Sequence, residues 1–287
     1  MKWRIRNPYI DIEGLPEKDA LATIIFEGID YDSVLRRVSF TDKHEDNVNT
    51  SVLLNPTCRY DLIPGVPVWS VFQRTDSQFG DKDGNPLIYA MKNENGWSMS
   101  RGDYKKIESN IKQILIKFFD KHGYDATIIL PSTSVINPFM EKLIKEVNPE
   151  CKIINDLVIK MTIKEVDDDI MKWGSPFRKA FPVLDDLRVA YAELEKNFER
   201  MRREKNGEFT YHFIDNKKIR NAIEHTLKLE KNNIGRYSGL INNKNVLLVD
   251  DTIRRGNTIK DAIRVIKDTF EPKSLTALTM FSALSLR

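Results

Sequence analysis

An α/β fold is predicted for most of this chain: an open, mostly parallel sheet with helices on both faces over residues 104–287, preceded by a β-rich region at 1–103. Three observations predict it. Residues 126–130 and 245–249 are short, nearly all-apolar runs, as expected of strands covered on both faces. Each is followed by a turn and then a helical pattern. Strand, loop, helix and strand then recur, the order that builds a doubly wound sheet.

From the N-terminus, residues 22–27, 51–54 and 66–72 have strand character. Asn55-Pro56, Ile63-Pro64-Gly65 and Asp83-Gly84-Asn85-Pro86 supply turns between and after them. From about Asp103 to Asp120, Ile107, Ile111, Ile114, Leu115, Phe118 and Phe119 fall at the spacing of an amphipathic helix, which His122-Gly123 ends. After the strand at 126–130, Pro131-Ser132-Thr133-Ser134 forms a turn, and Asn137-Pro138 opens a helix with Asn as cap. Residues 157–163 are a further apolar segment. Residues 185–205 carry a strong helical stripe of Leu187, Ala190, Tyr191, Leu194, Phe198 and Met201, acidic early and basic late. A weaker helix is expected over 217–229. The strand at 245–249, a helix from Asn257 to about Asp268 and a strand at 274–280 complete the order.

Composition narrows the function classes. The chain has 287 residues, 41% hydrophobic and 30% charged, enough to bury a normal core. No apolar stretch reaches the length needed to cross a bilayer. The basic start at Met1 to Arg6 has no apolar run behind it and does not read as a signal peptide. Cys58 and Cys151 lack metal-ligand spacing and suit a reducing compartment, so the expected location is cytoplasmic. A net charge of +3 gives no duplex-DNA footprint. The basic run at 200–205 reads as a solvated helix end or an anion contact.

The chemistry concentrates at Val246-Leu-Leu-Val249-Asp250-Asp251-Thr252-Ile253-Arg254-Arg255-Gly256-Asn257-Thr258. A buried strand delivers two adjacent carboxylates to its C-terminal end, where ligands bind in open α/β sheets. Gly256 permits a tight phosphate-cradling loop. The helix after it offers free amides and its positive dipole end. A sugar phosphate suits this arrangement, with its vicinal hydroxyls on Asp250 and Asp251 and its phosphate in the loop.

This segment resembles the ribose-phosphate motif of the type I phosphoribosyltransferases: four apolar residues, two acids, then a small loop around a Gly and a closing Thr or Ser. Arg254 and Arg255 stand where that family usually has small or hydroxyl residues, and Thr252 replaces an aliphatic one. In some purine enzymes of the family an acid at the position of Arg254 accepts the proton of the base. Residues 128–134 similarly resemble the pyrophosphate loop of the competence-associated phosphoribosyltransferases, which also have a Pro after the strand. The segment from Asn85 to Trp97 is loosely similar to the one before their first helix. The resemblance covers about residues 85–287.

The resemblance implies a type I phosphoribosyltransferase fold with the β-rich N-terminal region as a hood choosing the acceptor. It implies a glycosyltransferase of nucleotide metabolism acting on phosphoribosyl pyrophosphate or a nucleotide. Asp250 and Asp251 would be the catalytic pair, holding ribose and Mg²⁺ directly or through water. Arg254, Arg255, Gly256, Asn257 and Thr258 would take the 5′-phosphate, and Ser132, Thr133 and Ser134 the pyrophosphate. The insert at about 164–215 falls where that family carries a flap, with Arg178, Lys179, Arg202 and Arg203 as candidate cations; a dimerisation helix is the other reading, and homodimers are common in the family. A regulator sensing the same ligand without turnover, and an enzyme cleaving the N-glycosidic bond of a nucleotide or NAD-like ligand, remain as alternatives.

Other residues carry less. The four histidines lack metal-ligand spacing. Asp167-Asp168-Asp169 reads as a solvated turn before a cation site, and Trp69, Phe72, Tyr89 and Trp97 as core before base-stacking platforms.

Overall fold

The two apolar runs that anchor the sequence reading are strands, and they lie side by side. The structure, a computed structural model, describes residues 26–75, 84–204, 207–253 and 256–283. Its contacts divide the chain into two units. The first gathers the chain through Ile154, Leu240–Gly256 and the residues from Pro272 onward; the second gathers Asn155–Gly239 and Asn257–Glu271.

In chain order the first unit begins with β1 (Gly28–Asp32), β2 (Arg37–Thr41), β3 (Val48–Asn49), β4 (Thr57–Arg59) and β5 (Val68–Arg74). There follow α1 (Asn85–Lys92), β6 (Ser98–Met99), α2 (Arg101–Lys121), β7 (Ala126–Ile129), α3 (Ile136–Val147) and β8 (Lys152–Ile154). The second unit holds β9 (Val158–Lys160), α4 (Ile163–Met171), α5 (Pro176–Ala180), α6 (Leu184–Glu204), α7 (Lys217–Ala222) and β10 (Leu227–Leu229). Helix α8 (Ile234–Ile241) leads back to β11 (Asn245–Ile253) of the first unit; α9 (Asn257–Lys267) belongs to the second and β12 (Ser274–Ala283) to the first.

The main sheet runs β3-β5-β12-β11-β7-β8, with β4 also on β5. All the pairings from β5 through β8 are parallel, and only the short β3 and β4 are antiparallel. Near the N-terminus, β1, β2 and β6 form a small mixed sheet. The protein is therefore α/β with a mostly parallel sheet. Among the described residues no helix is long and apolar enough to cross a membrane.

Packing explains why these segments adopt these forms. Val246, Leu247, Leu248 and Val249 are all fully buried, as a central strand requires. Leu247 and Val249 join Leu278 and Met280 in a core with Ile107, Ile111, Ile114, Leu115 and Phe118 of α2 and Met140, Leu143 and Ile144 of α3. The helical stripe read from the sequence is thus the face α2 buries. The second unit has its own core, built around Val166, Phe177, Leu194, Phe198 and Phe213.

Several expectations need correction. Residues 51–54 are a turn. Ser51 donates its amide to the Asn49 side chain, and the Ser51 hydroxyl accepts the Leu54 amide, so side chains here outcompete a strand ladder. Helix α3 starts at Ile136 with Val135 at the cap, and Asn137 instead donates its side-chain amide to Leu130 O at 2.7 Å. Helix α7 ends at Ala222, and 227–229 is a strand, because Asp261 captures the Thr226 and Leu227 amides at 2.6 and 2.7 Å. Asp167, Asp168 and Asp169 lie inside α4, started by a capping box between Thr162 and Glu165. The strand expected at 22–27 falls mostly outside the described residues.

Asp261 also holds Arg264 at 2.6 Å while itself only 3% exposed. Asp261→Ala would leave the two buried amides without their acceptor, while Arg264 keeps Asp268 at 3.3 Å and Leu227 O at 3.4 Å. It should lower the unfolding free energy by about 2–5 kcal/mol, read from urea melts.

Candidate ligand site at the sheet reversal

The neighbouring strands β7 and β11 pair in parallel, from Val246 opposite Ala126 to Val249 opposite Ile129. From β7 the chain passes through α3 to β8, on one side; from β11 it passes through α9 to β12, on the other. The direction of winding therefore reverses between them. In open parallel sheets this reversal leaves a crevice outside the strand ends, where ligands bind.

Strand β11 does not stop at Val249. It pairs with β12 through Asp250 opposite Thr279 and Ile253 opposite Ser282, so both acids belong to the strand's last turn-free stretch. By the two-residue alternation of a strand, Asp251 shares a face with Leu247 and Val249, and Asp250 lies on the other. Asp250 is 6% exposed, and its Oδ1 accepts the Asp251 amide at 2.9 Å. Asp251 Oδ2 receives Lys92 Nζ at 3.0 Å and the Ser132 hydroxyl at 3.3 Å. Asp251 Oδ1 takes no partner among the described residues.

Lys92 was not foreseen among the site residues. Its side chain is 18% exposed and that of Asp251 15%, so the pair is largely withdrawn from water. A signal existed: Lys92 is the one charged residue of the segment Asn85 to Lys92. A lone cation closing a short apolar helix suits a specific partner, and the helix C-terminus favours it.

The loop after β7 is fixed at both ends. The Leu130 amide donates to Val249 O at 2.9 Å, and Leu130 O receives the Asn137 side chain. Ser132 Oγ accepts the Ser134 amide at 3.0 Å, and Ser134 Oγ accepts the Ile136 amide at 3.2 Å. Both serine hydroxyls thus shape the loop, and Ser132 also reaches Asp251. Thr133 is exposed and makes no hydrogen bond among the described residues.

The remaining expected site residues follow the end of β11. Arg254 and Arg255 lie outside the described residues. Gly256 adopts φ +77°, a conformation that favours glycine, and an added Cβ would stand 3.5 Å from Ile253 and 3.6 Å from Ile63. Asn257 and Thr258 open α9, in the second unit. Thr252 Oγ1 is buried without a hydrogen-bond partner among the described residues.

The candidate flap cations also belong to the second unit. Arg202 is held by Glu195 at 2.9 Å, and Arg178 lies 5.9 Å from the ring of Trp173. Of the histidines, His44 pairs with Asp30 and His225 with Asp169. His122 stacks near Trp69, Phe118 and Tyr124, where burial, aided by Lys121, pushes its pKa down. Trp69 and Phe72 are buried, and Trp97 meets Tyr31 edge-on, in keeping with core packing. Both cysteines are free thiols. Among the described residues no group of three or more His, Cys, Asp or Glu could hold a metal ion.

Comparison with protein-family models, with curated proteins and with solved structures found no match.

Removing the carboxylate of Asp251 strands a mostly buried ammonium. Asp251→Ala should cost about 1–3 kcal/mol in denaturant melts. Thr133→Ala, at an exposed and uncommitted position, should stay within about 0.5 kcal/mol of wild type.

Proposed function

We propose that the edge formed by the end of β11 and the 131–134 loop binds phosphoribosyl pyrophosphate, and that the protein transfers the phosphoribosyl group to a nitrogenous acceptor with release of pyrophosphate. One observation carries this reading. The reversal between β7 and β11 brings the acidic pair against a loop 119 residues earlier in the chain, with Ser132 Oγ 3.3 Å from Asp251 Oδ2. An element suited to a vicinal diol and one suited to an anion thus meet at one strand edge. The order of these elements along the chain also agrees with the type I phosphoribosyltransferase resemblance.

Each residue then has a defined task. Asp251, and Asp250 beside it, accept hydrogen bonds from the ribose hydroxyls and fix the sugar. The backbone amides around Ser132 and Thr133 donate to the pyrophosphate as negative charge grows on it, where electrostatic help lowers the barrier most. By chain order alone, Arg254, Arg255, Gly256, Asn257 and Thr258 take the 5′-phosphate. Two carboxylates suit Mg²⁺, which commonly takes one or two acidic ligands and completes its shell with water and phosphate oxygens. Asp250 and Asp251 would hold the ion, directly or through water, and it would supply charge neutralisation at the departing pyrophosphate.

Calorimetric titration of phosphoribosyl pyrophosphate, with Mg²⁺ and then with EDTA, tests the assignment. Magnesium-dependent binding is expected, and it should vanish in the variant carrying both Asp250→Asn and Asp251→Asn. Full affinity in that variant would sink the site. Pyrophosphate release on adding bases separates a transferase from a protein that only senses the ligand. Replacing both Arg254 and Arg255 by Thr should weaken binding, with each charged contact contributing about 1.5–3 kcal/mol; unchanged affinity would remove the arginines from the phosphate site.

A further inference from the structure

We propose that Lys92 is a built-in counter-cation of the acidic pair: its ammonium keeps a bare divalent ion off Asp251 and serves the pyrophosphate of the incoming substrate. The second half rests on the function proposed above; the first rests on Lys92 and Asp251 alone.

The position of this ammonium is fixed by the fold. At its start, α1 is tied to the end of β5 by Arg74, which donates to the Asn85 side chain at 2.7 Å. Leu87 and Ile88 sink its middle into the main core. At its end Asn93 takes φ +54°, and the Asn93 and Glu94 amides return to Ala90 O and Tyr89 O. Lys92 therefore leaves a clamped helix end, and its ammonium reaches Asp251 Oδ2 at 3.0 Å.

That contact leaves capacity unused. Asp251 is the sole charged or hydrogen-bonding partner of Lys92 among the described residues, so an ammonium with three donors spends one there. Lys92 and Ser132 share the same carboxylate oxygen, which sets the ammonium beside the 131–134 loop. Asp251 Oδ1, on the same side chain, has no partner among the described residues.

The sign of the electrostatics follows. A divalent ion arriving alone meets a carboxylate already neutralised by a fixed positive charge. A metal–pyrophosphate complex brings its own negative charge, which the ammonium attracts. Lys92 should thus oppose the bare ion and favour the phosphorylated ligand. A lysine that merely held the Asp251 rotamer would shift both affinities in the same direction.

The test compares wild type, Lys92→Met and Lys92→Arg, each checked for folding by circular dichroism, with Lys92→Gln as a second neutral variant. Mn²⁺ binding without other ligand is read by electron paramagnetic resonance, and phosphoribosyl pyrophosphate binding in Mg²⁺ by calorimetry. Loss of one unit charge beside a divalent ion should tighten Mn²⁺ binding by roughly tenfold or more in the neutral variants. Phosphoribosyl pyrophosphate should bind about tenfold to a hundredfold more weakly. Lys92→Arg, which keeps the charge, should stay near wild type for Mn²⁺. Unchanged or weaker Mn²⁺ binding in the neutral variants would overturn the metal-excluding role. Unchanged phosphoribosyl pyrophosphate affinity would overturn the pyrophosphate role. If wild type binds no phosphoribosyl pyrophosphate at all, the proposed function fails, while the Mn²⁺ comparison still decides what Lys92 does to Asp251.

Discussion

Parallel pairing of β7 with β11, with crossovers leaving on opposite sides, is the constraint on which the candidate site depends. A parallel strand must return by a crossover, and the crossover covers the edge it spans. Where two neighbours send their crossovers apart, that edge stays uncovered. Asp250 and Asp251 stand at the end of β11, and Ser132 follows the end of β7. Neither segment alone makes a site. The ladder from Val246 to Val249 aligns them, and the Leu130–Val249 hydrogen bond extends that alignment one residue beyond β7.

Burial then dictates the electrostatics. Acids at the end of a central strand lose much of their water, and an ionised carboxylate withdrawn from water needs compensating partners. Lys92 and Ser132 supply them to Asp251. The lysine comes from α1, whose own position depends on the core under Leu87 and Ile88. A region read from the sequence as hood thus contributes to the edge of the main sheet in two ways: β5 pairs with β12, and α1 carries a cation to β11.

Much of the fold was legible because its signals are local. Val246 to Val249 could only be a covered strand, and the α2 stripe has no strand alternative. The acidic pair was legible for the same reason, since strand, acids and Gly256 are consecutive. What escaped depends on partners distant in sequence. Residues 227–229 follow a helical pattern until Asp261, far along the chain, takes their amides. Ser51 and Asn49 turn the chain through side-chain hydrogen bonds that a strand propensity ignores. Asn137 looks like a cap, yet serves Leu130 O from inside the first turn of α3. Lys92 had only a faint mark, because one lysine among 45 Lys and Arg residues announces no partner.

Two adjacent acids invite treatment as equivalent, and their surroundings argue otherwise. Strand alternation sends them to opposite faces, so a ligand at the edge meets them from different sides. Asp250 is nearly buried and uses Oδ1 on the Asp251 amide, which binds the pair into one rigid corner. Asp251 meets Ser132 of the 131–134 loop and Lys92, and its Oδ1 has no partner among the described residues. Under the proposed function, Asp251 is therefore the acid that answers to charge arriving at the site. Asp250 sets the corner from which Asp251 projects, which makes the order of the two residues, and not only their number, part of the chemistry.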